Sequence, residues 1–126
     1  MIFFITENTR TCKHSNPVPV FSFTEARHMS LDMNENSSMN IGGYKIEYKN
    51  HQLTVDRSDV FPHDKSINLT ITTPTLDHCH LDIYTDLHII EIFINDGYHV
   101  LSHIVYNTNN TLEMNNCTNF KMCKTK

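Results

Sequence analysis

The fold of this 126-residue chain is decided by the stretch IIEIFINDGYHVLSHIVY, residues 89–106. Ile90, Ile92 and Ile94 alternate with polar or aromatic residues, and every second side chain of a β-strand projects to the same face. The Asn-Asp-Gly at 95–97 favours a tight turn, because glycine adopts positive φ at little cost and Asn or Asp tolerates it. The stretch therefore predicts a β-hairpin with its isoleucine face in the core.

The rest of the chain also shows strand patterns and almost no helical periodicity. In residues 79–85, apolar side chains alternate with polar or aromatic ones. This alternation is typical of an antiparallel sheet with one face in contact with solvent. Residues 25–39 are polar and Met-rich and predict a long surface loop. The earlier predicted strands are Val18–Phe23, Tyr44–Tyr48, Gln52–Val55, Ile67–Thr72 and Cys79–Thr85.

Together these runs predict an all-β fold, an antiparallel two-sheet β-sandwich of the concanavalin-like kind. The length suits one domain, which we expect to span residues 1–106. Residues 107–126 form an Asn-rich C-terminal tail, for which we expect partial disorder or a short final strand.

Composition excludes several classes of function. Ten basic and fourteen acidic residues give a net charge of −4, which argues against a nucleic-acid partner. No apolar run is long enough to span a bilayer, so no membrane partner is expected. The apolar residues 1–5 lack a basic flank and are too short for a signal-peptide core. We expect a cytoplasmic protein, or a secreted one if a signal lies upstream.

Four cysteines are scattered along the chain without a C-x-x-C pair. Four cysteines permit three disulfide connectivities, which sequence cannot rank. We expect free thiols, with a bridge within the tail or from the tail to the first cysteine left open for an oxidising compartment. The cysteines are Cys12, Cys79, Cys117 and Cys123.

His78, His80 and Asp82 form the densest cluster of potential metal ligands, because alternate residues project from one face of a strand. His99 and His103 on the next hairpin arm could join them only if the strands pair suitably. Further ligands would have to come from elsewhere, and with nine histidines accidental pairs are common. We therefore favour a solvated strand face and predict no metal site and no cofactor.

No catalytic or binding residue can be assigned from the sequence. Nucleophile-elbow, phosphate-loop, zinc-protease and dinucleotide motifs are all absent from it. Tyr84, Tyr98 and Tyr106 could form a sugar-stacking platform, but the absence of Trp weakens this interpretation. A glycosidase needs two paired carboxyl groups, and no motif pairs any of these acids. The candidates are Glu47, Asp56, Asp82, Asp86, Glu91 and Asp96.

Two stretches resemble the C-terminal β-sandwich of glycoside hydrolase family 32. The hairpin of that family commonly reads Asp-Arg-Ser-Ser, a branched residue, then Glu-Val-Phe-Val-Asn-Asp-Gly, and residues 85–97 are similar to it. The family's earlier strand pair typically ends in Val-Asp-Arg-Ser, as do residues 52–58 here, after Ile-Glu-Tyr at 46–48. Leu87, His88 and Ile89 replace the usual Arg-Ser-Ser. The resemblance covers about residues 21–106.

The resemblance implies an accessory role. Catalysis in this family resides in a five-bladed propeller whose nucleophile, Arg-Asp-Pro and Glu-Cys motifs do not occur here. Asn95-Asp96-Gly97 lacks the neighbouring proline of the nucleophile motif. We expect the accessory C-terminal module of a β-fructosidase acting on sucrose, sucrose 6-phosphate or fructan, inactive by itself. Its expected partner is the propeller or, failing that, a second copy of the chain.

A second class of function stays open, an autonomous carbohydrate-binding, lectin-like sandwich with a fructoside or sucrose-type ligand. That reading requires a concave sheet with polar and aromatic groups. The accessory reading instead requires an uncovered apolar face, which favours self-association when the propeller is missing.

Overall fold

The computed structural model describes residues 21–62 and 67–124. Within these ranges the chain forms strands and contains no helix, hence no helix of a length and apolarity that would cross a membrane. The all-β antiparallel prediction is therefore confirmed. The strands are β1 (Arg27–Ile41), β2 (Tyr44–Lys49), β3 (Gln52–Asp56), β4 (Thr70–Thr72), β5 (His80–Asp86), β6 (Ile89–Ile94), β7 (His99–Ile104) and β8 (Leu112–Lys124).

The long strand β1 organises the sheet because it pairs with three others. Residues 27–32 pair with β5, and residues 37–41 pair with β2, while β8 follows the opposite edge along both parts. Two branches grow from β1: the β2 branch (β2, β3, β4) and the β5 branch (β5, β6, β7). A register shift against β8 between Met33 and Ser38 marks the place where the two parts of β1 meet.

The two branches fold over each other as two layers around one core. The Tyr44 hydroxyl on β2 lies 2.7 Å from Nδ1 of His103 on β7, although three strands separate β2 from β7 in the sheet order. Val60, which follows β3, accepts a backbone hydrogen bond from Tyr106, which follows β7. The two predicted sheets are thus one hydrogen-bonded sheet folded into two layers that share β1 and β8.

The core confirms the period-two patterns. Ile90, Ile92 and Ile94 are fully buried, and so are Leu81 and Ile83 on the neighbouring strand. They pack with inward-facing side chains of β1, β2 and β3 into a single hydrophobic cluster. Burial of alternate side chains is what fixes the register, since a slip of one residue would turn each apolar set toward solvent.

The prediction of a surface loop over residues 25–39 is wrong, because most of this segment belongs to β1. Met29, Leu31, Met33 and Met39 are buried at alternate positions. Smaller differences affect the ends of other strands: Phe21 and Phe23 are buried but outside any strand, and only residues 70–72 of the run 67–72 pair. Residues 18–20 of the first predicted strand lie outside the described residues.

The C-terminal segment adds a strand of thirteen residues, β8, to the module. It pairs with β1 from Arg27 to Ile41, so the sheet extends well beyond residue 106. The strand is mostly exposed, with Cys123 its one buried residue, and Asn116 and Asn119 adopt positive φ. An exposed edge strand needs few apolar residues, which explains its polar composition.

Gly42, in the turn between β1 and β2, anchors the start of β8. Its N–H donates to the Thr111 carbonyl at 2.7 Å, and its carbonyl accepts from the Asn109 N–H at 3.1 Å. A Cβ at this position would lie 2.8 Å from the Phe23 ring and 2.9 Å from the Asn109 carbonyl oxygen. With φ at +62° as well, the close approach of three segments leaves room only for glycine.

The cysteines differ in state. Cys79 and Cys117 are free thiols, as expected, and burial raises the pKa of Cys79 to about 12, which leaves it unreactive at neutral pH. Cys123 is disulfide-bonded, so the expectation of a free thiol is wrong there. Cys12, the remaining cysteine of the chain, lies outside the described residues.

Candidate functional site

The outer face of the β5 branch combines apolar and polar rows. Ile89 lies opposite Ile104, and Phe93 lies opposite Val100, so two apolar pairs cross the β6–β7 ladder. Between them Glu91 accepts a hydrogen bond from the Ser102 hydroxyl at 3.2 Å. The outer face is made of residues 80, 82, 84 and 86 of β5, 89, 91 and 93 of β6, and 100, 102 and 104 of β7.

Several apolar side chains of this face meet solvent. Ile89, Val100 and Ile104 are 46%, 50% and 48% exposed, and Leu87 in the adjoining turn is 55% exposed. These four residues form what we call the apolar patch. Glu91 and Ser102 separate Val100 from Ile89 and Ile104, so the patch has two parts on one sheet face. Several exposed apolar side chains grouped on one face are typical of a surface that another protein covers.

A network of histidines and carboxylates lies on the outer face along the border between β5 and its neighbour β1. His80 Nδ1 lies 2.7 Å from Asp32 Oδ1 on β1, and His80 Nε2 lies 3.4 Å from Asp82 Oδ2. His28, buried on β1, places its Nε2 2.9 Å from the other Asp82 oxygen. The His28 ring stacks on Tyr84 with 4.5 Å between the ring centroids. Residues 28 and 32 of β1 thus hold the two β5 side chains.

The neighbouring groups in the network shift the pKa values of His80 and Asp32. Burial alone would lower the pKa of His80, but the Asp32 hydrogen bond and the charges of Asp82, Asp32 and Asp96 raise it. A hydrogen bond from Asn119 on β8, together with His80, lowers the pKa of Asp32. The three carboxylates near the imidazole therefore favour its protonated form.

The structure brings together only part of the predicted histidine cluster. His80 and Asp82 share the outer face. The exposed His78 precedes β5 and does not belong to the group of potential metal ligands that the structure brings together. Asp96, from the β6–β7 turn, takes its place: atoms of His80, Asp82 and Asp96 lie within 4.8 Å of one another. His103 instead points inward to Tyr44. Sequence spacing alone could not place Asp96 here, because the hairpin turn brings it back toward β5.

The candidate tyrosines do not share one surface. Tyr84 lies on the outer face with its ring edge against Phe93, at 5.7 Å between centroids. Tyr98 is 78% exposed at the tip of the β6–β7 hairpin, and Tyr106 contacts Phe61 beyond the other end of β7. A platform of these three rings is therefore not formed, because the length of β7 separates the last two.

A groove lies on the outside of the β2 branch, and we call it the polar groove because nine of its twelve described lining residues are polar; the other three are Met39, Ile46 and Met114. Its volume is about 580 Å³, and Glu47 and Asp56 of the candidate acids both line it. Lys45 projects into the same groove from β2, and its ammonium lies 3.1 Å from an Asp59 oxygen. The remaining polar lining consists of Ser38, Asn40, Thr54, Thr70, Glu113 and Asn115. Hydroxyl, amide and carboxylate groups of this kind suit a ligand rich in hydroxyl groups.

These features define the chain as a two-layer antiparallel β-sandwich module with one partly apolar outer face and one polar groove. Residues 20–125 match the family model described as "Glycosyl hydrolases family 32 C terminal". The chain therefore belongs to that family, and the resemblance drawn from its hairpin and strand-pair motifs is confirmed.

A solved structure of sucrose-6-phosphate hydrolase from Lactobacillus gasseri has a similar fold, with a TM-score of 0.69 and 19% sequence identity. The match covers 94% of this chain and 30% of that one, so the chain spans less than a third of the length of that protein. A search of curated proteins finds no match.

Proposed function

We propose that the chain is the accessory C-terminal module of a family 32 β-fructosidase and that it has no hydrolytic activity by itself. The intact enzyme would cleave sucrose, sucrose 6-phosphate or a fructan. The proposal rests on the family match over residues 20–125, in a chain that lacks the family's propeller motifs. The similar sucrose-6-phosphate hydrolase, of which this fold accounts for 30% of the length, supports the same assignment.

The apolar patch supports a docking role for the module. Ile89, Val100 and Ile104 are about half exposed, although burial of such a side chain contributes roughly 1.5–3 kcal/mol. The catalytic propeller of the same enzyme is the occupant that the family assignment supplies. In its absence the patch would pair with a second copy of the chain.

The purified 126-residue chain is expected to release no fructose from sucrose, sucrose 6-phosphate or inulin. The reason is chemical: retaining hydrolysis needs a carboxylate nucleophile and a carboxylic acid flanking one glycosidic bond, and no such motif is present. Released fructose is measured enzymatically against a heat-denatured sample of the same preparation. Turnover that survives repurification and follows the protein peak would overturn the proposal.

A second candidate function, an autonomous carbohydrate-binding sandwich, is favoured by the polar groove of the β2 branch. Its volume of about 580 Å³ lies in the range of small-molecule sites, about 300–1,000 Å³. The described lining of the groove contains no aromatic ring on which a sugar could stack, which places this candidate second.

One experiment distinguishes the two candidates. The chain is titrated with short fructose oligomers while amide shifts are followed by NMR, and sedimentation is measured over a range of concentrations. The accessory role predicts no saturable shifts in the groove and self-association that decreases when Ile104→Ser shortens the apolar patch. Saturable shifts around Glu47 and Asp56 that Asp56→Asn weakens, in a protein that stays monomeric, would replace it by the second candidate.

A further inference from the structure

We propose that His80, Asp82 and Asp96 form a binding site for one divalent zinc-class ion at the tip of the β6–β7 hairpin. One nitrogen and two carboxylate oxygens would coordinate the ion, and solvent would occupy its open position. The family match gives these three residues no role. The accessory function proposed above does not require them.

The backbone brings the three ligands together and holds them there. His80 and Asp82 are alternate residues of β5 and project to the same outer face. Asn95 fixes the turn that carries Asp96, since its N–H donates to the His80 carbonyl at 2.8 Å and its side-chain oxygen accepts from the His80 N–H at 2.8 Å. The Asn95 amide nitrogen also donates to the His78 carbonyl at 2.8 Å.

The spacing of the ligand atoms suits an ion better than a hydrogen bond. The distance of 3.4 Å between His80 Nε2 and Asp82 Oδ2 exceeds the 2.7–3.2 Å of ordinary N–H···O hydrogen bonds. Two ligands at about 2.0–2.1 Å from a tetrahedral zinc ion are about 3.3–3.4 Å apart. One ligand atom from each of the three residues lies within 4.8 Å of the other two. The exposed Asp96 carboxylate would have to move closer to the β5 pair for all three to reach one ion.

Both β5 ligands have outer partners of the kind found around metal-bound histidine and carboxylate. Metal-bound histidines usually donate their second ring N–H to a carboxylate, which orients the ring. Asp32 occupies that position at His80 Nδ1, 2.7 Å away, and is itself held by Asn119 at 2.8 Å. His28 binds the Asp82 oxygen that faces away from His80. These contacts direct His80 Nε2 and Asp82 Oδ2 toward each other.

The donor set selects the ion. Imidazole is a common ligand of zinc and other first-row metals, whereas magnesium and calcium prefer oxygen alone. Neither free thiol belongs to the group, so the site lacks the thiolate ligands of most closed structural zinc sites. Three protein ligands of this type favour an ion that stays exchangeable.

The test uses the full chain without a histidine tag. Zinc chloride is titrated calorimetrically into the wild type, Asp96→Asn and Asp86→Asn, and the melting temperature is measured with and without zinc. Asp96 lies in a solvent-exposed turn at φ +61°, a conformation that asparagine also adopts readily, so the substitution should leave the fold intact. Asp86, an exposed acid at the end of the same strand β5, is the matched control.

We expect one zinc ion per wild-type chain and a rise in melting temperature, because an ion that binds only the folded state stabilises it. Asp96→Asn should weaken binding by about tenfold or more and abolish the rise, while Asp86→Asn behaves as the wild type. The proposal fails if zinc does not bind, if it binds Asp96→Asn as tightly as the wild type, or if both substitutions weaken it equally. Equal weakening would indicate only a general attraction to surface acids.

Discussion

Replacing Ile92 by alanine is expected to lower the free energy of unfolding by about 2–5 kcal/mol, the range measured for large-to-small substitutions at fully buried sites. Ile92 is fully buried at the middle of β6, opposite Ile83 on one side and Leu101 on the other. The alanine would leave a cavity between two rigid ladders that cannot close around it. Urea denaturation followed by circular dichroism measures the change.

Ile104→Ala is the matched control, because Ile104 lies on the adjacent strand but faces solvent and is 48% exposed. This substitution should lower the free energy of unfolding by less than about 1 kcal/mol, because the Ile104 side chain has little buried area to lose. If both alanine variants lost stability equally, the assignment of the two sheet faces would be wrong.

The β6–β7 hairpin and its neighbour β5 could be predicted from sequence because their signals agree at every level. Ile89–Ile94 has β-branched residues at alternate positions, and the turn has residues that tolerate positive φ. In the structure Asn95, Asp96 and Gly97 do adopt positive φ. Local propensity, pattern and turn chemistry therefore all favoured the hairpin that the fold requires.

Strand β1 was not predicted, although its pattern is as regular. Its buried positions hold Met29, Leu31, Met33 and Met39, and neither methionine nor leucine favours strands as β-branched residues do. The intervening positions are polar, so composition suggested a surface loop. Only pairing with strands distant in sequence stabilises β1, and such contacts are not visible in a local window.

Contacts between segments that are distant in sequence also explain why only part of the candidate site could be predicted. Period-two geometry placed His80 and Asp82 on one face of β5, and the structure agrees. Asp32 and His28 come from β1, the strand that was not predicted, and Asp96 comes from the far end of the hairpin. A network assembled from three separate segments becomes visible only when the register of the sheet is known.

The Tyr44–His103 contact between the two layers should make the module sensitive to acid. Burial, helped by the charge of Arg57, lowers the pKa of His103 to about 4, from an ordinary value near 6.5. Burial also raises the pKa of the Tyr44 phenol, which keeps its proton and can donate it to the neutral ring at Nδ1, 2.7 Å away. The interior therefore holds both groups uncharged.

The direction of the pH dependence follows from proton binding. Between about pH 6.5 and pH 4 the unfolded chain binds a proton at His103 that the folded chain does not, so stability falls as the pH falls through this window. Each full unit of pKa difference corresponds to about 1.4 kcal/mol. Allowing for the partial exposure of the ring, we expect His103 to account for about 1–2 kcal/mol of the loss between pH 7 and pH 4.5.

Two measurements check this expectation. Urea denaturation of wild type and His103→Asn at pH 7 and pH 4.5 isolates the contribution of His103 to the pH dependence of stability. The asparagine oxygen can still accept a hydrogen bond from the Tyr44 hydroxyl at the Nδ1 position, but it does not titrate. The loss of stability on acidification should be smaller in the variant by the stated amount. NMR titration of the ring resonance that His103→Asn removes should give a midpoint near pH 4, and a midpoint near 6.5 would mean that water reaches the ring between the two layers.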